Sequence, residues 1–300
     1  MESSFGPDSC ELYDPASNGW STAANMSSAR YRLTATLLSC GKVLVTGGFD
    51  ERAKRLSSCE LYDPILTRWN TAAKMSSARY GHTATLLSCG KVLVTAGYGG
   101  SQTLSSCELY DPTSNRWSTA ANVLSARHVH TATLLSCGKV LVTGGTERAK
   151  SLSSCELYDP ISNRWSTATN MSSARHVHTA TLLSCGKVLV IGGIDGSQKL
   201  SSCELYDPAS NRWSTATHMS SARYGHTATL LSSGKVLVTG GFDERAQRLS
   251  SCELYDPTSN RWSTAANMSS ARYGHTATLL SCGKVLVTGA SNGSSAKVYD

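Results

Sequence analysis

No apolar run in the chain approaches the roughly 18 residues that cross a bilayer. The opening Met1-Glu-Ser-Ser-Phe-Gly has neither the basic start nor the apolar core of a secretory signal. The expectation is therefore a cytoplasmic chain with no membrane partner. No Pro-rich, Ser-rich or charged linker interrupts the sequence, which favours one domain over residues 1–300. No stretch combines 3.6-residue apolar periodicity with helix caps, which leaves strands as the building material. Cys-x-x-Cys spacing is absent, so a zinc site lacks its usual ligand pattern. No nucleophile elbow or unique reactive cluster appears either. Phenylalanine occurs only three times, so aromatic packing falls to 12 tyrosines and 6 tryptophans.

The tryptophans carry the organisation. Trp20, Trp69, Trp117, Trp165, Trp213 and Trp262 recur every 48 or 49 residues. A fixed period of that length means one supersecondary unit copied six times, each copy unable to bury its apolar surface without a neighbour. Within one copy, His82-Thr-Ala-Thr-Leu-Leu87 and Lys91-Val-Leu-Val-Thr95 alternate at period two around the turn Ser88-Cys89-Gly90, a hairpin signature. A glycine-rich connection leads to a third strand, Cys107-Glu-Leu-Tyr110, which stops at Asp111-Pro112 because proline cannot donate to a ladder. A fourth strand begins near Trp117. Four antiparallel strands per repeat, with short connections, are best arranged radially as a propeller, where tryptophan fills the space between stacked sheets.

Arg79-Tyr-Gly-His82, the glycine pair Gly144-Gly145, the Tyr110-Asp111-Pro112 turn and the single Trp117 stand in the order and spacing of a Kelch repeat. Over residues 8 to 300 the chain resembles the Kelch-repeat β-propeller family. The resemblance implies an all-β, six-bladed propeller with four antiparallel strands per blade, acting as a noncatalytic protein-interaction scaffold. Departures are local. Leu33 stands where other repeats have His; Ala96 and Ala290 each replace one glycine of a pair; Gly19 replaces the Arg before Trp.

Five complete repeats begin at Arg30, Arg79, Arg127, Arg175 and Arg223, and an incomplete sixth begins at Arg272. The N-terminus offers Cys10-Glu-Leu-Tyr13 and the strand around Trp20; the C-terminus offers Ala296-Lys-Val-Tyr-Asp300. Together they hold one strand more than six four-stranded sheets need. Completion of the sixth blade by the N-terminal segment is expected, because an open seam exposes sheet edge and apolar face. Which Tyr-Asp strand takes the third position stays open.

Eleven cysteines fall at two sites per repeat, six opening the third strand and five in the first hairpin turn. Within a blade these sites lie at opposite strand ends, beyond the roughly 7 Å that a disulfide spans between Cα atoms. Free thiols are the reading, and they favour a reducing compartment. The net charge of +7 is distributed over the repeats rather than gathered in one run. That pattern suits a solvated surface or an acidic partner better than nucleic acid, for which no base-stacking platform is evident.

Comparing the copies with one another locates variation. The hairpin turn and the Leu-Tyr-Asp-Pro strand hardly change. The connection from second to third strand varies, as in Phe49-Asp-Glu-Arg-Ala-Lys-Arg55, Tyr98-Gly-Gly-Ser-Gln-Thr103 and Ile194-Asp-Gly-Ser-Gln-Lys199, as does the entry to the first strand, Tyr-Gly-His against His-Val-His. Up-and-down strand order puts both at one end, the candidate binding surface for a protein or peptide partner. The candidate residues are Arg79, Arg127, Arg175, Arg223 and Arg272, as bidentate anchors for carboxylates, with His82, His130, His178, His226 and His275 beside them. Burial of the arginines against the glycine-rich loops is the competing reading. His128-Val-His130 and His176-Val-His178 place two imidazoles on one strand face, but no third ligand converges, so neither metal nor cofactor is expected. The chain is expected to be a monomer. Two further readings stay open: a carbohydrate-binding or oxidase-like domain, because galactose oxidase resembles this chain in its Kelch-like blades, and a designed or recently duplicated array with no evolved ligand.

Overall fold

The computed structural model describes residues 8–289 and 297–299. Each β-branched or aromatic run anticipated above forms a strand. Thr83–Leu86, Val92–Thr95, Cys107–Asp111 and Arg116–Ala120 make one four-stranded antiparallel sheet, and four more sheets repeat it, from Thr34–Leu37 to Arg68–Ala72, Thr131–Leu134 to Arg164–Ala168, Thr179–Leu182 to Arg212–Ala216, and Thr227–Leu230 to Arg261–Ala265. The fold is thus all-β, of the Kelch β-propeller type, with four antiparallel strands per complete repeat. Among the described residues, no helix is long and apolar enough to cross a membrane.

Register is constant because the pattern is. Val92, Leu93, Val94 and Thr95 pair with Tyr110, Leu109, Glu108 and Cys107, and matching residue types face each other in the sheets that contain Val43–Thr46, Val188–Ile191 and Val236–Thr239. The second strand of each complete repeat, Val-Leu-Val-Thr or Val-Leu-Val-Ile, is buried on both faces, which explains its unbroken apolar run. Each fully buried valine or leucine contributes about 1.5–3 kcal/mol.

The chain divides into two compact units. One comprises Met1–Leu134, Gly138–Val140 and Tyr158–Ser166; the other comprises Leu135–Cys137, Leu141–Leu157 and Thr167–Asp300. In the first unit, Leu38, Leu44, Cys59 and Met75 pack against Val92, Val94 and Tyr110 of the following sheet, with Trp117 over them. The second unit repeats the cluster with Leu183, Leu189, Cys203, Met219, Val236, Val238 and Tyr255, covered by Trp262.

Tryptophan also does something that packing alone would not show. Trp117 Nε1 donates to Ala73 O at 2.7 Å, while Ala73 N donates to Asn115 Oδ1 at 2.9 Å, so Ala73 of the preceding connection is clamped through both of its backbone polar groups. Asn115 also accepts the Tyr110 hydroxyl and holds φ 50°, a left-handed conformation that asparagine tolerates. Asn163, Asn211 and Asn260 play the same part. Thr67 occupies this position in the first complete repeat at φ 48°, and there the buried Tyr62 hydroxyl has no hydrogen-bond partner.

Of the two strands competing for the third position of the last sheet, Lys297–Tyr299 holds it, paired with Val285–Thr288. Cys10–Asp14 and Gly19–Ala23 form a two-stranded sheet of their own. They stand before the first complete repeat as each outer strand pair stands before the next, since Trp69 Nε1 donates to Ala24 O at 2.8 Å. Ala290 lies outside the described residues.

Candidate functional site

The arginines singled out in the sequence are interior residues. Arg79, Arg127, Arg175 and Arg223 are 0% exposed and Arg272 1%. Arg79 lies beside the third strand of its own sheet. It forms an ion pair with Glu108 at 2.7 Å and donates to Ala96 O, Ser106 O and Ser106 Oγ. Arg30–Glu60, Arg175–Glu204 and Arg223–Glu253 repeat the pair at 2.9, 2.7 and 2.6 Å. The glutamate's second oxygen receives a backbone N–H from the chain entering the repeat, as Ser76 N does for Glu108 at 2.7 Å. A guanidinium so enclosed has no edge to present to a partner, so the carboxylate it anchors is the protein's own. Of the two readings open in the sequence, burial is the one observed. The glutamate was the missed residue; its signal was a carboxylate recurring next to the cysteine that opens each third strand, inside a largely buried segment.

The histidines are interior as well. His82, His226 and His275 are 4%, 5% and 5% exposed, and His130 and His178 are also buried. Each Nε2 meets a threonine of the preceding sheet: His82 with Thr46 Oγ1 at 2.8 Å and Thr34 Oγ1 at 3.1 Å, His130 with Thr83 at 2.9 Å, His178 with Thr143 at 3.0 Å, His226 with Thr179 at 3.0 Å and His275 with Thr239 at 2.8 Å. Burial, aided by the neighbouring arginine, pushes the His82 and His226 pKa values down to about 3 and that of His275 to about 4. These side chains join sheet to sheet.

In His-Val-His, the expectation of two imidazoles on one strand face is corrected. Val129 and Val177 sit at φ 53°, which breaks the alternation before the strand begins. His130 turns inward, while the His128 ring lies 5.4 Å from that of Tyr98. Among the described residues, no group of three or more His, Cys, Asp or Glu side chains is placed to hold a metal.

Strand entries and variable connections do share one end. Tyr31 bridges to Phe49, Tyr80 to Tyr98, His176 to Ile194 and Tyr224 to Phe242. In the first unit these bridges build a line of rings. Tyr31, Phe49, Tyr80, Tyr98 and His128 follow one another with centroids 5.6, 5.4, 5.5 and 5.4 Å apart. The Arg55 guanidinium lies over Tyr80 at 5.7 Å and Tyr98 at 5.9 Å, and Arg32 also lies over Tyr80 at 6.0 Å. Among the described residues, none of Arg32, Arg52, Lys54 and Arg55 forms an ion pair, and the buried Arg55 Nε has no hydrogen-bond partner. At the hairpin end the lysines face their own aspartates: Lys42–Asp63 at 3.0 Å, Lys91–Asp111 at 3.8 Å and Lys139–Asp159 at 3.5 Å. The two ends of these repeats thus differ in how their cations are set: at the hairpin end the lysines face aspartates and Arg68 and Arg116 are exposed, while at the other end cations lie over aromatic faces.

The cysteines divide the same way. Cys59, Cys107, Cys155, Cys203 and Cys252 are buried, and burial pushes the Cys59 and Cys203 thiols up to about 12; Cys40, Cys89, Cys137, Cys185 and Cys282 are exposed in the hairpin turns.

Comparison with known proteins agrees with this architecture. The KLHDC2/KLHL20/DRC7 Kelch-repeats domain matches residues 5–193, and the Kelch motif matches residues 175–220 and 222–269. No curated protein sequence matches the chain. Among solved structures, the chain is similar to a fungal alcohol oxidase of the AA5 family in complex with copper, with a TM-score of 0.77 at 18% identity. The match covers 94% of this chain and 63% of the oxidase chain, and at that identity it speaks to the fold alone.

Proposed function

The chain belongs to the Kelch-repeat family, and from that premise we propose that it is a noncatalytic scaffold binding a protein or peptide partner through the end formed by the strand entries and the variable connections. One observation carries the reading. The Arg and Glu that recur at the strand entry and third strand are spent on an internal pair, whereas residues that differ between repeats place Arg55 and Arg32 over the Tyr80 ring at the variable end. Arg55 gives one Nη1 donor to Ala53 O at 2.9 Å, and a guanidinium held over a ring can offer its remaining N–H groups to a carboxylate at little cost in side-chain freedom. An acidic segment of the partner fits that platform. The anion anchors are therefore Arg32 and Arg55 in place of the five buried arginines. Buried histidines held neutral and buried thiols near 12 lie far from the pKa near working pH that acid–base or nucleophilic chemistry needs.

The test is titration of one captured partner against Arg32→Ala with Arg55→Ala, and against Lys91→Ala with Lys139→Ala. The first pair should weaken binding by about tenfold or more and reduce its salt dependence, because charge-assisted hydrogen bonds are lost. The second pair should bind as the parent does. Equal losses, or a loss confined to the lysine variant, would contradict the reading.

A further inference from the structure

The Arg55 platform has a counterpart in the second unit. Of the five described connections between second and third strand, only Phe49-Asp-Glu-Arg-Ala-Lys-Arg55 and Phe242-Asp-Glu-Arg-Ala-Gln-Arg248 share one pattern, and each unit holds one of them. The same internal contacts shape both. Phe49 bridges to Tyr31 and Arg55 as Phe242 bridges to Tyr224 and Arg248. Asp50 Oδ1 accepts the backbone N–H groups of Arg52 and Lys54, each at 2.9 Å, and Asp243 Oδ1 accepts those of Arg245 and Gln247 at 2.9 and 2.8 Å. Ala53 and Ala246 both stand at φ 58°, a left-handed conformation that alanine adopts only where the surrounding contacts impose it. The rings match as well. Tyr224, Phe242 and Tyr273 follow one another with centroids 5.2 and 4.2 Å apart, as Tyr31, Phe49 and Tyr80 do in the first unit. The Arg248 guanidinium lies 5.1 Å from the Tyr273 centroid, and both residues are exposed.

The remaining copies show that the fold does not require this arrangement. In every complete repeat the connection ends on a leucine whose N–H donates to a glycine carbonyl, as Leu56 N does to Gly48 O and Leu249 N to Gly241 O. The residue before that leucine is Arg55 or Arg248 on the two platforms and Thr103, Ser151 or Lys199 elsewhere. Ser151 bonds the His176 ring at Nδ1, at 3.1 Å, and Lys199 turns its Nζ to Ser197 O, at 2.8 Å. The backbone anchor is constant; the cation over the next repeat's ring is a choice made twice.

We propose that Arg248 over Tyr273 is a second anion site, which takes a further acidic segment of the partner through charge-assisted hydrogen bonds to its carboxylates. The two sites are unequal. Arg32 adds a second guanidinium over Tyr80, whereas Gly225 takes its place in the repeat that carries Arg248. In the first loop Arg52, Lys54 and Arg55 outnumber Asp50 and Glu51; in the second, Arg245 and Arg248 only balance Asp243 and Glu244. The second site is therefore the weaker one and depends on where its guanidinium is held, not on net charge. This rests on the reading of the variable end as a surface for acidic segments.

The experiment is an NMR titration of the full chain with Nα-acetyl-triglutamate amide, and in parallel with the triglutamine peptide, which lacks the charge. Saturable shifts of the Tyr80 and Tyr273 ring resonances are expected with the glutamate peptide, the Tyr273 site being about fivefold weaker, the worth of one exposed ion pair. Arg248→Ala should abolish the shift at Tyr273 and leave that at Tyr80, and Arg32→Ala with Arg55→Ala should do the reverse. Shifts at Tyr273 with Tyr80 silent would therefore sink the Arg55 platform and uphold this site. Arg261→Ala, at an exposed arginine of the hairpin end in the same unit, should change neither. No saturable shift at Tyr273, an equal shift with the glutamine peptide, persistence in Arg248→Ala, or an equal loss in Arg261→Ala would overturn the proposal.

Discussion

Lowering the pH from 7.5 to 5 should remove most of the protein's stability, through histidines buried between the sheets. His82 and His226 are held neutral to about pH 3 and His275 to about pH 4, first by burial and then by the arginine beside each ring. An unfolded histidine takes up its proton near pH 6.5. Between those limits the unfolded chain binds more protons than the folded one, so this stabilisation is complete above about pH 6.5 and is lost as the pH falls. At pH 5 each group disfavours the folded state by about 2 kcal/mol, at 1.36 kcal/mol per pH unit below 6.5. Three such groups amount to about 6 kcal/mol, and His178, pushed down by the same causes, adds to them. A domain's whole stability is about 5–15 kcal/mol, so unfolding should set in near pH 5. Aspartates such as Asp111 and Asp159, whose pKa values are lowered by backbone hydrogen bonds, lose their contribution only below about pH 4, in a separate window. Urea unfolding at pH 7.5, 6.5, 5.5 and 5.0 reads the slope directly. His82→Gln keeps a hydrogen-bonding side chain without the titrating ring, and it should remove about a third of the slope owed to these three residues. A fall of less than about 1 kcal/mol over the whole interval, or an unchanged slope in the variant, would refute the reasoning.

Thr67→Asn should stabilise the protein by about 1–2 kcal/mol, because asparagine suits the left-handed backbone there and supplies the acceptor that the buried Tyr62 hydroxyl lacks. Thermal melts of the two proteins decide it, and an unchanged midpoint would discount the Asn–Tyr–Trp clamp. Thiol titration of the native protein should proceed rapidly at the five turn cysteines and slowly at Cys59 and Cys203, whose thiolates burial disfavours, with the buried set reacting at full rate only on unfolding. Uniform rates for all thiols would show that the third strands are not enclosed.

Much of the architecture was legible in the sequence because it rests on periodicity. Trp117 and its copies set the repeat, His82 to Thr95 alternate as strands do, and Gly90 sits at φ 80° in the turn that required it. The candidate site was less legible. Arg79 reads equally well as a ligand anchor and as a buried cation until Glu108 is seen to lie on the adjoining third strand, a pairing across 29 residues that no local pattern reveals. His128-Val-His130 misled for the opposite reason. The period-two rule assumes extended backbone, and Val129 at φ 53° is not extended. Arg55 and Tyr80 were visible as residues of variable segments. That one lies over the other depends on the bridges between strand entry and loop, which are tertiary facts.

The central claim is that the repeated buried Arg–Glu pairs are framework and that recognition belongs to the variable end. Hydroxyl-radical footprinting of the protein with and without one captured partner tests it most directly. Exposed Tyr31, half-buried Tyr80 and Tyr98, and the exposed hairpin-turn cysteines all report. Protection is expected at Tyr31, Tyr80 and Tyr98, with no change at Cys40, Cys89 or Cys137. Protection of the turn cysteines with the tyrosines left as reactive as before would place the partner at the other end and contradict the claim.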